Sequence, residues 1–149
     1  MSQADRFCPY AAVYLVLLKD GQALFLKRVP GSYQAGNYSL VAGHLDGDES
    51  ATQAMIREAK EEAAIILKPE YLEVVHVMHR ISSDREYIDL YLKAEKWEGE
   101  IINMEPAKCD ELKWLELNNL PENIVPEVRL AFENISKNIH YSEFGWNLK

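Results

Sequence analysis

The 149-residue chain has only two cysteines, Cys8 and Cys109, and no CxxC pair. That is too few for a disulfide framework, and the spacing offers no zinc-binding thiolate pair. Both thiols are expected to remain unpaired, in a reducing cytoplasm. No apolar run is long enough to cross a bilayer, and residues 1–10 (MSQADRFCPY) lack a signal-peptide pattern, so no membrane partner is expected. No Lys/Arg cluster exceeds two residues, and the formal net charge is −8. A basic stripe is therefore missing, which argues against a nucleic acid polymer as partner. Repeats and low-complexity segments are absent too. What remains is a chain that is 48% hydrophobic. This suits one domain over residues 1–149, as a monomer or homodimer.

Alternating patterns predict strands and helices in turn. Tyr10 to Leu18 and Ala23 to Val29 read as strands joined by a hairpin at Asp20-Gly21. A loop from Pro30 to Asn37 precedes a short strand, Tyr38 to Ala42, that delivers Gly43. Leu72 to His79 and Tyr87 to Ala94 read as two more strands around a polar turn. Glu98 to Asp110 is loop-like, and Leu112 to Leu117 is a further strand. Pro126 to Asn138 has helical spacing, with Val128, Ala131, Phe132 and Ile135 on one face. The simplest assembly is an α/β fold, a mixed sheet with helices on both faces.

The densest chemistry lies between Gly43 and Ile65, reading GHLDGDESATQAMIREAKEEAAI. Ser50 and Gln53 form an S-x-x-Q capping box, which starts a helix there. Met55, Ile56, Ala59 and Ala63 share a plausible core face. Glu58, Glu61 and Glu62 follow at i, i+3 and i+4, within an arc of roughly 100°. Like charges at that spacing weaken a helix by about 0.2–0.5 kcal/mol per pair. Acidic runs are common on solvated helix faces. A cation offsets the repulsion, and Mg²⁺ takes oxygen ligands from carboxylates and substrate phosphates. Ala51 and Ala54 are expected to leave open volume beside the acids. An acidic protein can bind small anions such as free nucleotides when metal ions bridge the two.

The pattern G-x5-E-x7-R-E-U-x-E-E-x-G-U, with U a bulky aliphatic, resembles the signature of the Nudix hydrolases. Gly43, Glu49, Arg57, Glu58, Glu61, Glu62 and Ile65 stand in register. Ala59 replaces a larger aliphatic, and Ala64 stands where the family has glycine. With alanine at 64, the helix exit is expected to differ from the family's left-handed one. The resemblance covers nearly the whole chain and implies an α/β/α sandwich around a mixed sheet.

It also implies metal-dependent hydrolysis of a diphosphate linked to a nucleoside. Gly43, through its carbonyl, with Glu58, Glu61 and Glu62 would hold Mg²⁺ (or Mn²⁺). Glu49 and Arg57 would fix the loop and helix in position. Similarity to the MutT branch rests on Trp97-Glu98-Gly99-Glu100, with Glu105 downstream as a further catalytic acid. Glu111 is the competing candidate. Arg28, at the end of the second strand, is where this branch can meet phosphate, and His44 would touch substrate. A surface arginine and an unremarkable histidine are the plainer readings.

Markers of other branches are missing: Ile81, Ser82 and Ser83 stand where dinucleoside polyphosphate hydrolases carry tyrosine. Arg80 stands where ADP-ribose hydrolases carry proline. A small-molecule nucleoside triphosphate, cut to monophosphate and pyrophosphate, is the expected substrate. Tyr38, Tyr91 and Trp97 could stack on a base, although strand aromatics usually belong to the core. The alternative function is a nucleotide-binding Nudix module without hydrolysis, whose usual mark is loss of helix acids.

Overall fold

Asp20 and Gly21 both adopt positive φ (51° and 78°), which makes a tight hairpin whose twist suits the flanking strands. The computed structural model describes residues 5–32, 34–83 and 85–146. The hairpin joins β1 (Tyr10–Lys19) to β2 (Gln22–Arg28), but the two pair only at Leu18–Ala23 and Lys19–Gln22. Beyond that point β2 diverges to pair with β3 (Tyr38–Ser39) and β7 (Cys109–Glu116). The vacated edge of β1 is taken by β4 (Ala42–His44), with Val13 opposite Gly43. The other edge runs parallel to β6 (Glu86–Ala94) from Tyr10–Tyr87 to Leu17–Ala94. β5 (Glu73–Ile81) and β8 (Tyr141–Phe144) complete the order β3-β2-β1-β6-β5-β8.

Period-two alternation sorts the side chains into two cores. On one face, Val13, Leu15 and Leu17 of β1 join Leu24, Leu26, Leu92 and Ala94 under α1 (Ala51–Ala63). On the other, Val16, Phe25, Met78 and Tyr91 pack under α2 (Pro126–Ser136), which contributes Val128, Ala131 and Phe132. The mixed sheet between helices is therefore an α/β/α sandwich. Among the described residues, no helix is long and apolar enough to cross a membrane. Cys8 is exposed, Cys109 is buried, and both are free.

Several expectations change. The strand expected at Tyr38 to Ala42 is two short strands, because the chain crosses from β2 to β1 at Leu40 and Val41. Gly43 thus lies within β4. β7 begins at Cys109 rather than Leu112, since a bulge at Lys27/Arg28 lets Arg28 pair with Cys109. β8 was not expected at all; it is short, half exposed and lies parallel to β5.

Two corrections concern α1. Ala54 is wholly buried in the core, and Ala51 packs against that core, so neither leaves open space beside the acids. Ala64 adopts φ 57° and ψ 21°, so the left-handed exit is kept despite the missing glycine.

Candidate active site

Ser50 accepts a hydrogen bond from the Gln53 amide, and the Gln53 side chain accepts one from Ser50 N–H. This reciprocal cap fixes where α1 begins and hence where its glutamates lie. Arg57 then ties helix to loop. Its Nε and Nη2 donate to the two Glu49 oxygens at 3.1 and 2.8 Å, and Nη2 also reaches the His44 carbonyl at 3.1 Å. Planar, two-point pairing of this kind is geometrically specific. Glu49 in turn accepts from the Asp46 amide at 2.9 Å. The hydrogen bonds from Arg57, then from Asp46, hold the Glu49 carboxyl below its usual range.

Arg57 Nη1 donates to Glu58 at 2.7 Å and reaches the exposed Glu61 at 3.4 Å. Glu58 lies against the backbone of β4: a Cβ built on Gly43 would stand 2.1 Å from the Glu58 carboxyl carbon. Only glycine leaves room for it. Burial raises the Glu58 carboxyl, and Arg57 opposes that rise. Glu62, one turn on, accepts from the Ala42 amide at 3.1 Å. Its carboxyl is pushed up to about 8 by burial, with the negative charges of Glu58 and Glu105 adding to the effect. Glu62 is thus short of positive charge.

The loop after β6 brings Glu105 to this wall. Ile102 N–H donates to the Ala63 carbonyl (2.9 Å) and Met104 N–H to that of Glu62 (3.0 Å). Asn103 closes the loop, donating to the Cys109 carbonyl at 2.7 Å and accepting from the Glu105 amide at 3.1 Å. A small cavity of about 120 Å³ is lined by Glu62, Glu105, Lys108, Arg28 and Ala42. Glu111 is engaged elsewhere, accepting from the Tyr38 hydroxyl at 2.6 Å. Of the two competing acids, Glu105 is the one beside Glu62.

Arg28 lines a second cavity as well, of about 340 Å³, together with His44, Arg80, Tyr87 and Glu127. His44 is exposed and meets Tyr10 edge-on at 5.7 Å. The structure thus brings together Gly43, Glu49, Arg57, Glu58, Glu61, Glu62 and Glu105, with Arg28 and His44 flanking them. The three proposed stacking aromatics are elsewhere. Tyr91 is buried against Tyr14 at 4.7 Å, Tyr38 is buried and bonded to Glu111, and Trp97 packs on Trp114 at 5.7 Å.

Asn103, Arg80, Asp89 and Glu127 were missed as members of the two cavities or their supports. A signal existed for two of them. Arg80 falls two residues after buried Met78, and Asp89 two before buried Tyr91, so both are charges at inward-facing positions.

Among the described residues, no three His, Cys, Asp or Glu side chains form a ready-made cation cage. Arg57 Nη1 stands between Glu58 and Glu61 instead. The donors nevertheless fit a hard cation in type, being carboxylates and a backbone carbonyl at Gly43.

Comparison with known proteins resolves the family. The model of the NUDIX domain matches residues 8–135. The chain belongs to the Nudix family. It is 31% identical over 107 residues to the NAD-capped RNA hydrolase NudC of Pseudomonas putida, a match covering 72% of this chain. That match takes in only 37% of NudC, so the chain spans about a third of this relative. A match to the ADP-ribose pyrophosphatase of Methanocaldococcus jannaschii has 29% identity, covering 85% of this chain and 69% of the relative. In structure the chain resembles a MutT NUDIX hydrolase from Burkholderia pseudomallei. The TM-score is 0.78 at 26% identity, covering 85% of this chain and 98% of that one. Nudix hydrolases generally use divalent metal ions.

Proposed function

We propose that the chain is a divalent-metal-dependent pyrophosphohydrolase acting on a small nucleoside diphosphate-linked molecule. The simplest substrate is a nucleoside triphosphate, released as monophosphate and pyrophosphate. One observation carries this reading: Glu58 and Glu62 lie against β4 at Gly43 and Ala42, with Arg28 lining the cavities on both sides. Gly43, Glu58, Glu61 and Glu62 would hold Mg²⁺ or Mn²⁺. Such an ion, when bound, neutralises phosphate oxygens and lowers the pKa of water.

The protein's own groups supply the rest. Arg28 attracts the anionic phosphates, and His44 meets the substrate beyond them. Glu105, beside Glu62, accepts the proton of the attacking water. Arg57 and Glu49 keep helix and loop in register. One relative is named a hydrolase of NAD-capped RNA and another an ADP-ribose pyrophosphatase, which supports a diphosphate as the bond cleaved. A polymer substrate does not carry over, given the short span of the match and the lack of a basic stripe. The free thiols suit a cytoplasmic setting.

Purified protein is expected to cleave members of a panel of nucleoside triphosphates, dinucleoside polyphosphates, ADP-ribose and nucleotide sugars only with Mg²⁺ or Mn²⁺. Glu61→Gln and Glu62→Gln should stay folded and lose on the order of 100-fold or more in kcat. If the wild type binds nucleotides but turns over none of the panel, it is a non-catalytic nucleotide-binding module.

A further inference from the structure

Glu127 is the second residue of α2 and only 5% exposed, yet it lines the larger cavity. Its nearest charge is Arg80 Nη1 at 3.7 Å, outside hydrogen-bond reach. Arg80 is committed elsewhere. Its Nε and Nη2 donate to Asp89 at 2.6 and 3.2 Å, Nη2 reaches the Tyr14 hydroxyl at 3.3 Å, and its face lies on the Tyr87 ring. Two buried carboxylates, Asp89 and Glu127, thus face one guanidinium. Glu127 accepts no hydrogen bond from any described residue.

The Glu127 carboxylate opens onto the cavity with no hydrogen-bond donor from the described residues, so a ligand that donates to it gains. Against Glu127 itself a phosphate would be repelled, whereas Arg28 and Arg85 on the same lining favour one elsewhere in the cavity. A flat, neutral group bearing N–H donors fits, with Val125 and Val128 on the lining to meet its apolar face. We propose that Glu127 selects the nucleobase of the substrate through paired N–H donors, and that the base is guanine. Guanine presents N1–H and its N2 amino group side by side, matching the two oxygens of one carboxylate. Adenine and cytosine offer one amino group. Uracil offers one N–H between two carbonyl oxygens, which the carboxylate repels. The assignment rests on the nucleotide-hydrolase reading for the phosphate end of the ligand, and on Glu127 alone for the base.

The test is calorimetric binding of GMP, IMP, AMP, CMP and UMP to metal-free protein, alongside kcat/KM for the matching triphosphates with Mg²⁺. GMP should bind roughly 10- to 100-fold tighter than UMP, the discrimination one two-point base contact gives. IMP, which lacks the amino group, should lose most of that advantage, a result that needs no variant. Glu127→Gln, checked for folding by circular dichroism, should weaken GMP far more than UMP. The inference is overturned if GMP and UMP bind alike, if IMP equals GMP, or if Glu127→Gln weakens all ligands equally. Guanine-selective binding without turnover sinks the hydrolase reading and leaves this one standing; turnover without base preference does the reverse.

Discussion

At position 43 the side chain has to be a hydrogen. Any Cβ there would stand 2.1 and 2.2 Å from the carboxyl carbon and an oxygen of Glu58, closer than nonbonded atoms tolerate. Gly43→Ala must therefore push Glu58 off the β4 backbone. The fold should survive, because β4 is short and Glu58 can rotate outward. Activity should fall on the order of 100-fold, measured as kcat on whichever nucleotide is turned over. Wild-type turnover by Gly43→Ala would mean that Glu58 does not work from this position. The same close approach explains how a glycine and a glutamate far apart in the chain form one wall. The family resemblance implied only that Arg57 and Glu49 fix helix and loop; the two hydrogen bonds that join them are seen in the structure. Spacing could not foresee Glu127, whose neighbours arrive from β5 and β6.

For α1, the two ends differ in how they are made. The start is built from residues suited to it, Ser50 and Gln53. The exit holds an alanine at φ 57°, where a side chain is disfavoured by about 1 kcal/mol. Ala64→Gly should raise stability by about 0.5–1 kcal/mol, read as a Tm increase of about 1–4 °C by calorimetry. An unchanged or lower Tm would show that glycine's extra freedom in the unfolded chain outweighs the relief. Local signals made α1, the Asp20-Gly21 hairpin and the β5–β6 pair legible from sequence. The split between β3 and β4 was not legible, because it depends on which edge of β1 is free. β8 escaped for a related reason: its few residues gain strand form only from the edge of β5. The acids of the helix were readable, whereas the loop that brings Glu105 to them is held by backbone bonds to Ala63 and Glu62.

Across the whole molecule, the excess of acid leaves a mark on stability. Glu62 titrates at about 8 when folded and near 4.5 when unfolded, so the folded state binds more protons between those values. Stability of the metal-free protein should therefore fall as pH rises from about 4.5 to about 8. The slope should flatten in Glu62→Gln. Adding Mg²⁺ near pH 8 should restore much of the loss, since an ion that binds only the folded state stabilises it. Denaturant melts at pH 5.5 and 8.5 check this; identical pH slopes for wild type and Glu62→Gln would refute it.

β1 has a further consequence. Its amides and carbonyls are shared among β6, β4 and β2, so no single neighbour can peel away and expose it. Hydrogen exchange along β1 should thus report only global opening, while β8 and the loop carrying Glu105 can breathe by local excursions. Since β4 hangs on β1, the glycine face of the site belongs to the slowest-opening unit of the protein. The acid that meets it from the loop hangs instead on a few backbone bonds to the end of α1.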